Sequence, residues 1–134
     1  MRQIAKGLRS LGVEVDLMLS SPYVRARETA EIVADVFKMK KKLAFTDNLI
    51  PTGEPDLLIA ELNEKDSLQS VALVGHEPHL SNLVGVLTSE GKQLDIKLKK
   101  GGVCLLSADD LRQEHHATLE WLLTPGILVE IGDT

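Results

Sequence analysis

The chain has 134 residues, which suits one domain with a hydrophobic core and is too short for two independent domains. Its 15 Lys and Arg residues against 20 Asp and Glu residues give a net charge of -5, so any anion site must be local. Aromatic residues make up only 3% of the chain, which leaves few stacking platforms for single-stranded nucleic acid.

The cysteine content and the lengths of the apolar runs indicate a compartment. Cys104 is the single cysteine, which excludes an intramolecular disulfide, and its apolar neighbours in GGVCLLS are typical of a buried thiol in a reducing compartment. No apolar run approaches the roughly 20 residues of a membrane span, and the first residues do not resemble a signal peptide. We therefore expect a soluble, cytoplasmic protein that binds neither membrane nor nucleic acid.

The first part of the chain predicts a helix, a strand and a second helix. Residues 1 to 11 carry apolar side chains at helical spacing and precede Gly12, a good C-terminal cap. The apolar run within residues 14 to 19 is typical of a strand covered on both faces. Ser21 and Pro22 suit the start of the second helix. Its predicted buried stripe consists of Ala26, Ala30, Val33 and Phe37.

The middle of the chain is more polar. KMKKK, residues 38 to 42, is most simply a solvated helix C-terminus whose cations suit the helix dipole. Residues 43 to 45 predict a short strand, and DNLIPTGEP predicts a loop from its Asn, Pro and Gly content. Residues 55 to 64 predict a helix.

The last part begins with SVALVGH, residues 70 to 76, which predicts a buried strand. Pro78 then opens a helix with apolar residues at helical spacing. Residues 101 to 107 and 117 to 124 predict two strands, and the polar turn ADDLRQEHH between them indicates a hairpin.

This order of elements predicts a fold class. We expect one domain over residues 1–134, an α/β sandwich of three layers around a mainly parallel central sheet. Such units normally open with a strand, so the uncapped helix at Met1 predicts that a first strand is missing upstream.

Two strand ends carry basic side chains: SSPYVR and VGHEPH. Ligands of open α/β sheets bind beyond the carboxyl ends of the strands. Each motif also lies beside the N-terminus of the following helix, whose free N–H groups and dipole attract anions. A phosphate would suit both ends.

Arg25 is the sharper of the two features, because a cation in a first helical turn meets the unfavourable end of the helix dipole. It either pairs with Glu28 or Glu31 at the surface or serves an anion site. Arg27 points to a different face of the helix and is predicted to be structural.

His76 follows Gly75 at its strand end, where the imidazole could face the cleft. With His79 three residues later it raises a metal hypothesis, but HEPH lacks the zinc-protease spacing and no third ligand is evident. We therefore predict no metal and no cofactor. The adjacent pair His115 and His116 lies in a polar turn, and we assign it no function.

Taken together, LSSPYVRARETAEIV and VGHEPHLSNLVGVL resemble the histidine phosphatase superfamily, and within it the small SixA-like branch of phosphohistidine phosphatases. WLLTPGIL, residues 121 to 128, is similar to the closing segment of that branch, so the resemblance extends over nearly all of the chain. It implies the phosphoglycerate mutase-like fold and a phosphoryl-transfer reaction through a phosphohistidine enzyme intermediate.

The resemblance also implies roles for particular residues. Arg25 matches the family's phosphoryl-binding arginine in the Ser-Pro-x-x-Arg-Ala segment, and His76 matches the second active-site histidine. The family's nucleophile is another histidine, in an Arg-His-Gly motif directly after the first strand, and this sequence contains no Arg-His-Gly. We therefore expect a chain that lacks its nucleophile strand and is inactive as written.

Carboxylates near the two motifs are candidates for supporting roles. Glu54 in PTGEPD is a possible general acid, and Glu77 and His79 form a possible secondary site. The resemblance implies a phosphohistidine-bearing protein, such as a phosphotransfer domain, as substrate. Two alternatives stay open: a non-catalytic module that binds phosphorylated ligands, and a phosphatase of small phosphorylated metabolites.

Overall fold

The computed structural model describes residues 1–65, 68–89, 96–109 and 117–133. The α-helices in chain order are α1 (Arg2–Ser10), α2 (Val24–Val36), α3 (Pro55–Asn63), α4 (His79–Ser89) and α5 (Pro125–Gly132). The strands are β1 (Leu17–Ser20), β2 (Leu43–Phe45), β3 (Val71–Val74), β4 (Val103–Ser107) and β5 (Thr118–Leu123). Two short 3-10 helices lie at Lys40–Lys42 and Asp47–Leu49.

A three-stranded parallel sheet forms the centre, in the order β2-β1-β3. Alternation along β1 sends consecutive side chains to opposite faces. Met18 packs with Ala30 of α2, whereas Leu19 packs with Leu58 of α3 and Leu83 of α4. Helices therefore cover both faces of the sheet, which confirms the predicted α/β architecture around a mainly parallel sheet.

The predicted hairpin is confirmed by β4 and β5, which pair antiparallel as a separate two-stranded sheet. Its apolar side chains Val103, Trp121 and Leu123 pack against the cluster formed by α1 and α5. The hairpin is thus anchored to the rest of the fold through these two helices.

Helix α5 was not predicted. The last predicted element was the strand over residues 117 to 124, and the following PGILVEIG shows no clear helical periodicity. Thr124 caps the helix by accepting the N–H of Ile127 at 3.4 Å, and Pro125 occupies its first turn. A Cβ atom on Gly7 would lie 2.1 Å from the carbonyl oxygen of Leu128, so α1 and α5 meet in backbone contact there. This close approach stabilises α5 in a way that its own sequence does not reveal.

The boundaries of β1 differ from the prediction: the strand runs from Leu17 to Ser20, later than residues 14 to 19. The side chain of Asp16 explains the late start, because one carboxylate oxygen accepts the N–H groups of Gln69 and Ser70 at 2.9 and 3.0 Å. These bonds link the residue before β1 to the two residues before β3, so the sheet begins directly after them. The predicted cap at Gly12 is confirmed by its φ of 81° directly after α1.

The interpretation of KMKKK as a solvated segment after α2 is confirmed for its four lysines, which are exposed, and is wrong for Met39. Helix α2 ends at Val36, Lys38 adopts a positive φ of 56°, and Met39 is buried in the core cluster of β1 and α2. Lys40 pairs with Asp35 at 3.3 Å. The buried methionine thus turns the segment back toward the sheet.

The predicted turn ADDLRQEHH falls largely on residues 110–116, including His115 and His116, which lie outside the described residues. In the described part of the chain, every helix is too short or too polar to span a membrane.

Candidate functional site

The carboxyl ends of β1 and β3 lie side by side, since the two strands are parallel neighbours in register from Leu17 with Val71 to Ser20 with Val74. The pairing extends one residue further, because the N–H of Ser21 donates to the carbonyl of Val74 at 2.9 Å. SSPYVR and VGHEPH therefore leave the sheet at the same edge, as the two motifs predicted.

Ser21 connects the two motifs directly. Its Oγ lies 2.8 Å from Nε2 of His76, a hydrogen bond that spans 55 positions of sequence. The same Oγ accepts the backbone N–H of Tyr23 at 3.2 Å. Ser21 is 0% exposed, so these two groups, and not solvent, are the partners of its hydroxyl in the described part of the chain. The bond fixes the imidazole of His76 relative to the turn that precedes α2.

The ring of Tyr23 lies beside the same imidazole. Its ring centroid lies 5.6 Å from that of His76, with the two planes tilted by 58°. Burial lowers the pKa of His76 below its usual value, and the nearby His79 lowers that pKa further. The imidazole of His76 is therefore poised as a neutral, partly buried ring at the sheet edge.

Arg25 lies in the first turn of α2, two residues beyond Tyr23. Within the described residues, its guanidinium has no ion pair, because Glu31 pairs with Arg27 instead, at 3.6 Å. The first turn of α2 also contains no acidic residue. Glu31, one of the two glutamates predicted as a surface partner of Arg25, thus pairs with Arg27. Arg25 remains an exposed cation in the first turn of α2, after the end of β1.

The loop that bears Glu54 is held close to this edge. His79 Nε2 donates to the carbonyl of Gly53 at 2.9 Å, and the imidazole is only 4% exposed. Glu54 itself is exposed, directly precedes α3 and forms no side-chain cap. His79 therefore anchors the backbone beside Glu54, and its own Nδ1 is buried without a hydrogen-bond partner in the described part of the chain.

Glu77 has a local structural partner. Its carboxylate accepts the backbone N–H of Ser81 at 2.9 Å and also the hydroxyl of Ser81. Such a bond satisfies a free N–H in the first turn of α4. The structure thus joins Glu77 to α4 and His79 to the Glu54 loop, so these two residues act on different segments.

The sequence analysis missed Ser21 and Tyr23 as parts of this site. Ser21 was interpreted as a helix cap, but α2 begins at Val24, and the side chain of Tyr23, at the N-cap position, accepts no capping hydrogen bond. An aromatic residue between Ser-Pro and an arginine was the available signal for Tyr23. Among the residues described, no group of three or more His, Cys, Asp or Glu side chains could hold a metal ion.

What the arrangement can do chemically follows from its parts. Arg25 and the free N–H groups of the first turn of α2 follow the end of β1, and His76 follows the end of the neighbouring β3. A guanidinium, an imidazole and helix N–H groups are donors that suit a tetrahedral anion. The exposed carboxylate of Glu54 directly follows Gly53, whose carbonyl is bound by His79.

Comparisons with known proteins agree with this chemistry. No protein-family model matches the chain. It is 30% identical over 122 residues to an uncharacterized protein of Picosynechococcus, a match that covers 90% of this chain and 73% of the relative. It is also 32% identical over 91 residues to the phosphohistidine phosphatase SixA of Escherichia coli. That second match covers 66% of this chain and 54% of SixA, about half of its length.

The fold has a similar solved counterpart. The structure of the protein histidine phosphatase SixA complexed with tungstate superposes with a TM-score of 0.83 at 25% sequence identity. The superposition covers 95% of this chain and 80% of that one. The similarity in fold thus extends over nearly the whole of this chain.

Proposed function

The chain belongs to the SixA-like branch of the histidine phosphatase superfamily, a family of phosphatases, and from this premise we propose that Arg25 and His76 bind the phosphoryl group of a phosphohistidine protein. The single observation that carries the proposal is the hydrogen bond between Ser21 and His76, which joins the two motifs at one sheet edge.

Arg25 supplies the charge for this binding. A phosphoryl group carries its negative charge on its non-bridging oxygens, and in a loose transition state that charge remains on them. Arg25, which has no acidic partner among the described residues, can donate two parallel hydrogen bonds to such oxygens. Its place in the first turn of α2, unfavourable for a cation alone, becomes favourable once an anion lies between it and the free N–H groups.

Phosphohistidine suits a site of this size. Its P–N bond is labile, and the leaving imidazole is readily protonated, so a strong general acid is not required. If an acid assists, Glu54 is the candidate, because His79 holds the backbone at Gly53. We propose a phosphotransfer domain of a cytoplasmic signalling protein as the source of the phosphohistidine.

The covalent step needs a nucleophile that these 134 residues do not contain. In the resembling family a histidine of an Arg-His-Gly motif attacks phosphorus in line, and water then hydrolyses the phosphoenzyme. Since the 134 residues include no Arg-His-Gly, we propose that they bind a phosphoryl group without turning it over. Turnover then requires a strand that ends in Arg-His-Gly.

Tungstate, a tetrahedral oxyanion, tests binding by calorimetric titration. We expect Arg25→Ala to weaken tungstate binding about tenfold, the effect of one charge-assisted hydrogen-bonded contact. Arg27→Ala is the matched control, because this arginine lies on the same helix and pairs with Glu31. His76→Ala should also weaken binding. If both Arg25→Ala and His76→Ala bind tungstate as tightly as the unmodified chain, the proposed site is wrong.

Turnover is tested with a phosphorylated phosphotransfer domain. The 134-residue chain should bind it and leave it phosphorylated, whereas a chain extended by an N-terminal strand ending in Arg-His-Gly should release phosphate. Full turnover by the 134 residues alone would show that the nucleophile is dispensable. Binding without turnover by the extended chain would favour a non-catalytic binding module, and turnover of small phosphate esters alone would indicate a metabolite phosphatase.

A further inference from the structure

Two consecutive serines at the end of β1 use their hydroxyl groups differently. Ser20 and Ser21 are both 0% exposed. The hydroxyl of Ser20 donates to the carbonyl of Ser21 at 2.8 Å, a local backbone contact. The hydroxyl of Ser21 instead reaches the imidazole of His76 on the neighbouring strand end. Only the second serine touches the candidate site.

The direction of the bond between Ser21 and His76 follows from counting donors and acceptors. A serine hydroxyl has one hydrogen and two lone pairs, and the N–H of Tyr23 already occupies one lone pair of Ser21. In the described residues, the remaining partner of this buried oxygen is Nε2 of His76. The hydroxyl hydrogen has no other acceptor there, and leaving it unpaired inside the protein would be unfavourable. Ser21 therefore donates to Nε2.

A donated hydrogen bond at Nε2 fixes the position of the ring proton. A neutral imidazole carries one N–H, and a nitrogen that accepts a hydrogen bond is the unprotonated one. The proton of His76 therefore resides on Nδ1. Because burial lowers the pKa of His76, the ring is neutral near pH 7 and its tautomer decides what it offers a ligand.

We propose that Ser21 is a positioning residue that holds His76 in the Nδ1–H tautomer and thereby presents an N–H donor to the phosphoryl oxygens. This inference rests on the proposed function above, since it assigns the donor that His76 uses there. The opposite tautomer would turn a lone pair toward an anion, which repels it. Ser21 thus contributes to binding through the ring of His76 and does not touch the ligand itself.

Backbone hydrogen bonds fix the position of Ser21 and of its hydroxyl group. The N–H of Ser21 donates to Val74 and thereby joins the turn to the end of β3. The N–H of Tyr23 occupies the second side of the hydroxyl, so the hydroxyl hydrogen is directed away from the turn. Alanine at position 21 would keep the backbone bond to Val74 but would remove the donor to Nε2.

The experiment is nitrogen NMR of the histidine side chains in the unliganded chain, which needs no substrate and no turnover. At a pH above the pKa of His76, we expect Nδ1 to show the resonance of a protonated ring nitrogen and Nε2 that of an unprotonated one. Ser21→Ala should shift His76 toward the other tautomer or toward an averaged signal. Ser20→Ala, equally buried and one residue earlier, is the matched control and should leave the His76 resonances unchanged.

Binding of tungstate provides the second measurement. We expect Ser21→Ala to weaken tungstate binding about fivefold, the effect of losing one oriented hydrogen bond. Ser20→Ala should change it less than about twofold. Ser21→Thr retains the hydroxyl and should restore the Nδ1–H signature. Backbone amide spectra of each variant establish that the sheet is intact before the comparison is made.

The outcomes separate this inference from the proposed function. A protonated Nε2 in the unmodified chain, or an unchanged tautomer in a folded Ser21→Ala variant, would overturn the role of Ser21 even if Arg25 and His76 bind tungstate. If Ser21→Ala does not fold, the tautomer of the unmodified chain alone decides the question. If the tautomer is as expected but tungstate does not bind, the positioning geometry stands and the proposed function fails.

Discussion

The parallel sheet and the β4–β5 hairpin differ in how they are packed, and the difference explains where the site lies. In the described residues, β1 has helices on both faces and is almost entirely buried. The hairpin packs one set of side chains against α1 and α5, and it leaves Leu105, Leu119 and Leu122 exposed. Strand ends held from both sides can fix a serine and a histidine to within hydrogen-bond distance.

The positional accuracy of the site follows from packing around the strands and not from the motif itself. Ser21 and His76 meet over 2.8 Å because β1 and β3 are held in register by two separate core clusters. The family-like segment WLLTPGIL begins in β5 and continues into α5, and the hairpin packs against the cluster formed by α1 and α5. Variants at Leu19 and Gly7 test how far the two regions are independent.

The largest effect is expected for the core beneath the site. Leu19 is 1% exposed and packs with α3 and α4, so Leu19→Ala should lower the free energy of unfolding by about 3 kcal/mol. Leu105→Ala in β4 is the control, because that side chain is 38% exposed and should cost less than about 1 kcal/mol. Urea denaturation measures both, and equal losses would contradict the difference between the two regions.

The contact between α1 and α5 should give the next largest effect. Gly7→Ala would place a Cβ 2.1 Å from the carbonyl oxygen of Leu128, so the helices must move apart, at about 2 kcal/mol or more. Gly126→Ala meets open space at the start of α5 and should change stability by less than about 0.5 kcal/mol. The His76 resonances should persist in Gly7→Ala, and their loss would show that the hairpin region supports the site.

The site could be predicted from the sequence as far as its strand ends. Parallel strands bring their carboxyl ends to one edge, and SSPYVR and VGHEPH each follow a strand, so the proximity of the two motifs was predictable. The helical stripe of α2 was also evident, because Ala26, Ala30 and Val33 are buried as the spacing indicated. These features depend on local periodicity.

The remaining features depend on contacts between distant residues. Ser21 and His76 are 55 positions apart, and no local pattern shows that a serine hydroxyl supports the ring. Helix α5 is stabilised by its backbone contact with Gly7, which a window of sequence around α5 does not include. Met39 is buried because Lys38 adopts a left-handed conformation, although its neighbours are all lysines.

A smaller effect is expected where α3 holds the loop that leads to Glu54. Glu61 accepts the hydroxyl of Thr46 at 2.6 Å and the side-chain amide of Asn48 at 2.8 Å. Glu61→Ala should therefore lower the free energy of unfolding by about 1.5 kcal/mol. Glu64→Ala changes an exposed carboxylate one residue beyond α3 and serves as the control. Equal thermal melts of the two variants would show that the loop does not need Glu61.

The smallest effect concerns the protonation of His76, and its sign is defined. Burial and the nearby His79 lower the pKa of His76 below 6.5 in the folded chain, whereas the unfolded chain retains the ordinary value. Between the lowered pKa and 6.5 the unfolded state binds more protons, so the free energy of unfolding should rise with pH in this window and level off above it. His76→Gln should reduce that rise. Tungstate should raise the pKa of His76, because a bound anion favours the imidazolium. NMR titration measures the pKa of His76 in the unliganded and in the tungstate-bound chain. A pKa of His76 at or above 6.5 in the unliganded chain would contradict the effect of burial.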